Sequence, residues 1–212
     1  MIKKILLSSS VIVALNATDI SDFIDLNNCD QIIDKQIFKI CYSYKYKGAL
    51  AVWYELDGKF VNKNNIKNRP DFYSEKNIPI EYRTKSQDYI NSGFDRGHLA
   101  PDASFDYDSK TQIKTYTMAN VVPQYPTLNR KAWLKVERYE RLIASKLKTT
   151  TVINLIDYSK STQKIGKSKL SVPNGFYKII FNDQKNFKKC FKYENIEIDP
   201  ETDKLRNHQI TC

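Results

Sequence analysis

One stretch of this chain carries a long helical period, and it limits the folds that the rest can adopt. Ala132, Val136, Tyr139, Ile143 and Leu147 recur at steps of four and three, which places them on one apolar helix face. The spacing predicts a helix from about Asn129 to Lys148, beginning after Pro126. Around it the pattern is that of strands. Ala49–Tyr54 is a continuous apolar run suited to a buried central strand, and Thr150–Ile156 is rich in β-branched residues. Tyr116–Val122 is a further apolar segment, stopped by Pro123. Gly175–Phe181 and Phe187–Tyr193 flank a polar five-residue turn and read as a hairpin. Asn62–Ser92 is polar and reads mostly as loop. A lone long helix among strands must bury its apolar face on a sheet, so the expected class is α+β with a largely antiparallel sheet.

The chain has 212 residues, with only 6 Gly and 7 Pro scattered along it, so no linker divides it. Met1–Ala17 has the form of a secretory signal: Lys3 and Lys4, an apolar run from Ile5 to Leu15, then the small Ala17. That run, about ten apolar residues, falls short of the roughly twenty needed to span a bilayer. One domain over 18–212 is expected, in an exported protein of the periplasm or the extracellular space with no membrane span once mature. Four cysteines in such a chain favour disulfides, and four allow three connectivities. Cys29–Cys41 and Cys190–Cys212 are preferred because both close local loops. Zinc and catalytic thiols are the competing uses; no close Cys spacing or flanking pattern supports either.

Hydrophobic residues at 41% and charged residues at 27% exclude a disordered tail, a collagen-like fibre and a multi-span membrane protein. Lys and Arg outnumber acids 34 to 24, a net charge of +10 that favours polyanionic partners. Charge alone does not choose among nucleic acid, anionic lipid and acidic glycan.

Only two histidines are present, His98 and His208. His208, between Asn207 and Gln209, reads as a solvated surface residue. His98 lies in Asp95-Arg96-Gly97-His98, where an acid, a base, a flexible glycine and an imidazole share four positions. Imidazole suits proton removal from water near neutral pH; a turn whose His caps a strand is the equally weighted bland alternative. Farther on come Asn120, Pro123-Gln124 and then Asn129, Trp133, Glu137 and Arg141 at steps of four, a ridge beside the apolar helix face. Glu137 and Arg141 could be an ordinary helix ion pair, and Trp133 reads as core. An Asn at a helix start with a carboxylate two turns on could instead hold a hydrated hard cation through oxygen.

This ordered set resembles the DNA/RNA non-specific endonucleases, the ββα-metal (His-Me finger) nucleases of the Serratia-nuclease and endonuclease G type. Arg83–Tyr89 leading into Ser92-Gly93-Phe94 also matches, and the resemblance runs from about Ala49 to Phe181. It implies a largely antiparallel sheet with a long metal-site helix and a Mg²⁺-dependent hydrolysis of DNA and RNA phosphodiesters that leaves 5′-phosphate ends, with Mn²⁺ as a substitute. His98 would be the general base. Asn129 would be the sole direct protein ligand of one Mg²⁺, and Glu137 would hold the waters around it. Asn120 would support the site by hydrogen bonding. Arg83 and Arg141 would bind phosphate oxygens, Arg96 would neighbour them in that cluster, and Asp95 would orient the loop. Substrates would be held by their phosphate backbone rather than read by base. The alternative is a secreted nucleic-acid-binding protein with an inactive nuclease-like domain; retention of both His98 and Asn129 speaks against it. A membrane-surface or glycan binder would gather its lysines on one amphipathic helix, whereas here they are scattered, the Lys185–Lys192 hairpin included.

Overall fold

The architecture follows from burying one helix on one sheet. The computed structural model describes residues 19–212; the expected signal segment Met1–Ala17 lies outside the described residues. The strands are β1 (Gln31–Asp34), β2 (Lys39–Ser43), β3 (Gly48–Asp57), β4 (Asp95–His98), β5 (Val121–Gln124), β6 (Thr149–Asp157), β7 (Lys164–Ile165), β8 (Leu170–Ser171), β9 (Gly175–Asn182), β10 (Phe187–Glu194) and β11 (Gln209–Ile210). Seven of them form one sheet in the order β1-β2-β3-β6-β9-β10-β11, antiparallel at every step. The helices are α1 (Asp102–Phe105), α2 (Ser109–Thr115) and α3 (Leu134–Leu147). The predicted α+β class, the central strand, the long helix and the β9–β10 hairpin are all present.

α3 lies on one face of the sheet and buries Val136, Ile143 and Ala144 there. Trp133, fully buried just ahead of α3, packs on Phe176 (5.5 Å) and Tyr193 (5.3 Å). The opposite face is covered in part by the N-terminal segment, where Ile20, Phe23 and Ile24 pack against Ile153, Ile179 and Phe181. Cys29–Cys41 ties that segment to β2, and Cys190–Cys212 ties the C-terminal segment to β10, the pairing that local loop closure predicts.

Three details depart from the sequence reading. The helical stretch does not begin as an α-helix: Leu128–Trp133 is a π-helical turn that runs directly into α3. A π turn takes an extra residue per turn, so Asn129, Trp133, Glu137 and Arg141 do not form one ridge. Trp133 is in the core, while Asn129 and Glu137 stay half-buried. Pro123 does not stop the apolar segment but sits inside β5, opposite Arg96. β4 and β5 form a ladder of only two strands, with open edges where a missing N–H is tolerated. His208 is not a solvated residue; its ring stacks on Tyr193 at 3.9 Å and its Nε2 pairs with Asp203 at 2.5 Å.

The core also holds charge. Across the inner face, Val52 of β3, Asn154 of β6 and Lys178 of β9 stand in one cross-strand row. Lys178 is fully buried and ion-pairs at 2.6 Å with Glu140 of α3, itself fully buried. The Tyr54 hydroxyl lies 3.1 Å from both Glu140 oxygens, and the Ser104 hydroxyl donates to Oε1 at 3.0 Å. Removing one partner of a buried pair strands the other charge, at a cost of about 3–5 kcal/mol, whereas removing both costs far less. Lys178→Met should therefore lower urea-unfolding stability by about that amount, and the Lys178→Met/Glu140→Leu double variant should recover most of it. Additive losses in the two single variants would show that the pair is not coupled.

Candidate active site

β4 and β5 form a short antiparallel ladder with Asp95 opposite Gln124 and His98 opposite Val121. β5 then leads through Pro126 into the π turn and α3, so β4, β5 and α3 make one ββα unit. The ladder requires a glycine at position 97. A Cβ there would lie 2.2 Å from Oε1 of Gln124, whose fully buried side chain crosses the β4 backbone. Upstream, Gly93 supplies a left-handed turn (φ +81°) at the entry to β4.

His98 ends β4. Its ring sits between Phe72 (5.2 Å) and Tyr116 (5.0 Å, edge-on), and its Nε2 is buried without a hydrogen-bond partner among the described residues. Burial lowers its pKa to about 4; Asp102 opposes that shift and Arg69 adds to it. The imidazole is therefore neutral at physiological pH. The cation that acts on His98 is Arg69, and desolvation outweighs it as a cause. Tyr116 is itself pinned, donating to Asp102 at 3.2 Å, and Asp102 is held by Gln112 (2.9 Å) and by an ion pair with Arg69 (2.6 Å).

The chain after His98 is clamped by Asn120. Its Oδ1 accepts from the Ala100 N–H (2.8 Å), and its Nδ2 donates to the carbonyls of Ala100 and Thr115 (both 2.9 Å). Asp95, at the other end of β4, receives two hydrogen bonds from Arg130 (2.7 and 2.6 Å) and one from Nδ2 of Asn129 (3.0 Å). Burial works against ionisation of Asp95, but these donors overcome it and hold its pKa below the usual range. With Nδ2 committed to Asp95, the amide of Asn129 is fixed in orientation, and its Oδ1 has no protein donor among the described residues. Glu137 likewise accepts no hydrogen bond among them. Its pKa is pushed up to about 8, by burial first and then by Glu140 and Asp102 against the opposing fields of Lys178 and Arg141. An amide oxygen and an unpaired carboxylate of this kind suit a hydrated hard cation. No group of three His, Cys, Asp or Glu side chains that could hold a metal occurs among the described residues.

The arginines divide. Arg141 is almost fully buried on α3, with Nη1 lacking a partner, and it lines an open groove of about 580 Å³ together with Lys63, Arg69 and Arg138. Arg69 also lines the neighbouring groove of about 650 Å³, beside Phe72, Arg96 and Tyr116. Arg96 lies over the rings of Phe72 and Tyr89, anchored by a 2.7 Å bond to the Ser86 carbonyl. Arg83 does not belong to this set. Its guanidinium donates to the carbonyls of Ile78 and Lys76, bracing its own loop. Sequence reading missed Arg69, inside a stretch read as loop, and Asp102, four residues after His98.

The family model for the DNA/RNA non-specific endonucleases matches residues 18–212. Human mitochondrial endonuclease G is 29% identical over 160 residues, which cover 71% of this chain and 54% of the human protein. A nuclease of Nostoc sp. is 30% identical over 141 residues, covering 65% and 50% of the two chains. The chain thus spans about half the length of these curated relatives. Among solved structures, that of an EndoG/EndoGI complex superposes with a TM-score of 0.77 at 23% identity, covering 85% of this chain and 80% of the other.

The Gly97–Gln124 contact is open to test. Gly97→Ala should displace Gln124 and lower stability by roughly 1–3 kcal/mol, the usual cost of overpacking, as measured by urea unfolding. Wild-type stability would mean that Gln124 has room elsewhere.

Proposed function

The chain belongs to the DNA/RNA non-specific endonuclease family, and we propose that it hydrolyses phosphodiester bonds of DNA and RNA without strong sequence preference, leaving 5′-phosphate ends. The observation that carries this reading is His98: an uncharged imidazole with an unpaired Nε2, set at the end of β4 against Phe72 and Tyr116, which line a groove together with Arg69 and Arg96. A phosphodiester is anionic and repels hydroxide, so hydrolysis needs a neutral base to deprotonate water and cations to offset added charge. His98 takes the proton. Arg141, Arg96 and Arg69 meet the phosphate oxygens, and their fixed guanidiniums need no reorganisation as charge develops. No step calls on a ribose 2′-hydroxyl, so both nucleic acids are substrates.

Asn129 would bind a divalent cation through Oδ1, and Glu137 would order the waters around it; the oxygen-only donor set favours Mg²⁺. When bound, such a cation polarises the phosphate and stabilises the departing 3′-oxygen. Asp95 fixes the Asn129 amide and Asn120 fixes the chain just after His98. Two disulfides support an exported protein folded in an oxidising compartment.

Two results test this reading. His98→Ala should lower turnover on plasmid and on RNA by about 10²–10⁴-fold while leaving nucleic-acid binding in place. A base is competent when unprotonated, so wild-type kcat/KM should hold from neutral pH down through pH 5 and fall as pH drops toward about 4. A midpoint near 6.5 would show that His98 titrates unburied. Separately, EDTA should abolish cleavage, Mg²⁺ should restore it, and Asn129→Ala should remain folded but inactive. Cleavage at the wild-type rate in EDTA would remove the metal from the mechanism, and binding without cleavage in the wild type would favour a binding-only role.

A further inference from the structure

The loop after His98 is held from two sides, and only one of them is explained by the ββα unit. On the β5 side, the Leu99 N–H donates to the Asn120 carbonyl at 3.0 Å, and the Asn120 side chain clamps Ala100. On the other side the Leu99 carbonyl faces the central sheet. There it accepts from Nδ2 of Asn154 at 3.0 Å, and the Tyr54 hydroxyl lies 3.5 Å away. Leu99 and Asn154 are fully buried and Tyr54 nearly so, and neither Asn154 nor Tyr54 lines the groove that would take substrate.

These two side chains belong to the charged cluster in the core. Lys178 lies 3.3 Å from the Tyr54 hydroxyl and 2.6 Å from Glu140, and its ammonium sits over the Trp133 ring at 4.8 Å. Glu140 is one turn along α3 from Glu137. The cluster therefore has contacts with β3, β6, β9, α3 and the residue next to His98. We propose that Asn154 is a positioning residue that holds the Leu99 carbonyl, with its Nδ2 tied at 3.5 Å to the Tyr54 hydroxyl that the Glu140–Lys178 pair orients, and so registers His98 against α3, the helix that carries Glu137.

This rests on the nuclease reading above. A buried ion pair is weak evidence for stability, because packed apolar residues of similar volume serve as well or better. A pair whose hydroxyl and amide neighbours end on the backbone beside the proposed base has a use that apolar packing cannot supply. Displacement of a reacting group by about 1 Å can cost roughly 10²-fold in rate. A loosened Leu99 peptide would act on turnover, since substrate is gripped elsewhere, by arginines in the groove.

Asn154→Leu removes the donor and keeps an apolar side chain of similar size; Tyr54→Phe removes only the hydroxyl. Each should lower kcat on plasmid DNA by about 10- to 100-fold, with KM and nucleic-acid binding within about twofold of wild type. Circular dichroism and the melting temperature should show a folded protein at the assay temperature. A purely structural role would move the melting temperature and leave kcat per folded molecule unchanged. Wild-type kcat in folded Asn154→Leu and Tyr54→Phe would overturn the proposal, as would a rise in KM at constant kcat. Should Asn154→Leu fail to fold, Tyr54→Phe decides alone. A wild-type protein that cuts neither plasmid nor RNA with Mg²⁺ present would remove the nuclease reading itself, a result distinct from the failure of this inference.

Discussion

Lys178 and Glu140 meet at 2.6 Å in a place with no access to water, between the sheet and the helix that packs on it. Desolvating two charges is expensive, and their attraction offsets the cost only if geometry and surrounding hydrogen bonds are good. Here Glu140 has hydroxyls of Tyr54 and Ser104 on its oxygens, and Lys178 has the faces of Trp133 and Tyr54 nearby. An apolar interface would let α3 slide or rotate by small amounts at little cost. A hydrogen-bonded ion pair fixes one register, and that register sets where Glu137, Arg141 and the π turn with Asn129 stand relative to β4.

The same logic explains what was legible in the sequence. β3, β6, the β9–β10 hairpin and α3 bury continuous or periodic apolar sets, and such sets can be read without coordinates. The disulfides follow from local loop closure. The π turn at Leu128–Trp133 could not be read, because Asn129, Trp133 and Glu137 have the same spacing in an α-helix; the added residue is a tertiary outcome. The core charges were readable in principle. Lys178 stands between Phe176 and Ile180 at inward positions of β9, Asn154 between Val152 and Ile156 of β6, and Glu140 between Val136 and Ala144 on the apolar face of α3. Each breaks a hydrophobic pattern at the position where the pattern is strongest.

At the site, the residue types were legible and several partners were not. Asp95, Arg96, His98 and Asn129, the residues we propose for the site, could be singled out from their side-chain types alone. What surrounds them comes from far along the chain: Phe72 and Arg69 from a polar loop, Tyr116 and Asp102 from the connection between β4 and β5. Arg83 shows the reverse hazard. The family resemblance implied a phosphate ligand there, but two backbone carbonyls of its own loop take its guanidinium.

Charge in the groove is arranged so that each group limits another. Arg69 would be a free cation beside His98, but Asp102 and Asp106 both lie within ion-pair distance of it. Asp102 in turn would favour protonated His98, but burial of the ring outweighs it. Asp102 also raises the pKa of Glu137, so one carboxylate acts on both the imidazole and the half-buried acid on α3. The uncharged imidazole and the proton-retaining carboxyl both owe their state first to burial, with Asp102 opposing the first shift and adding to the second. A dication held beside Glu137 would favour its ionised form and leave the desolvated His98 neutral, the protonation pattern that base-assisted attack on a phosphodiester requires.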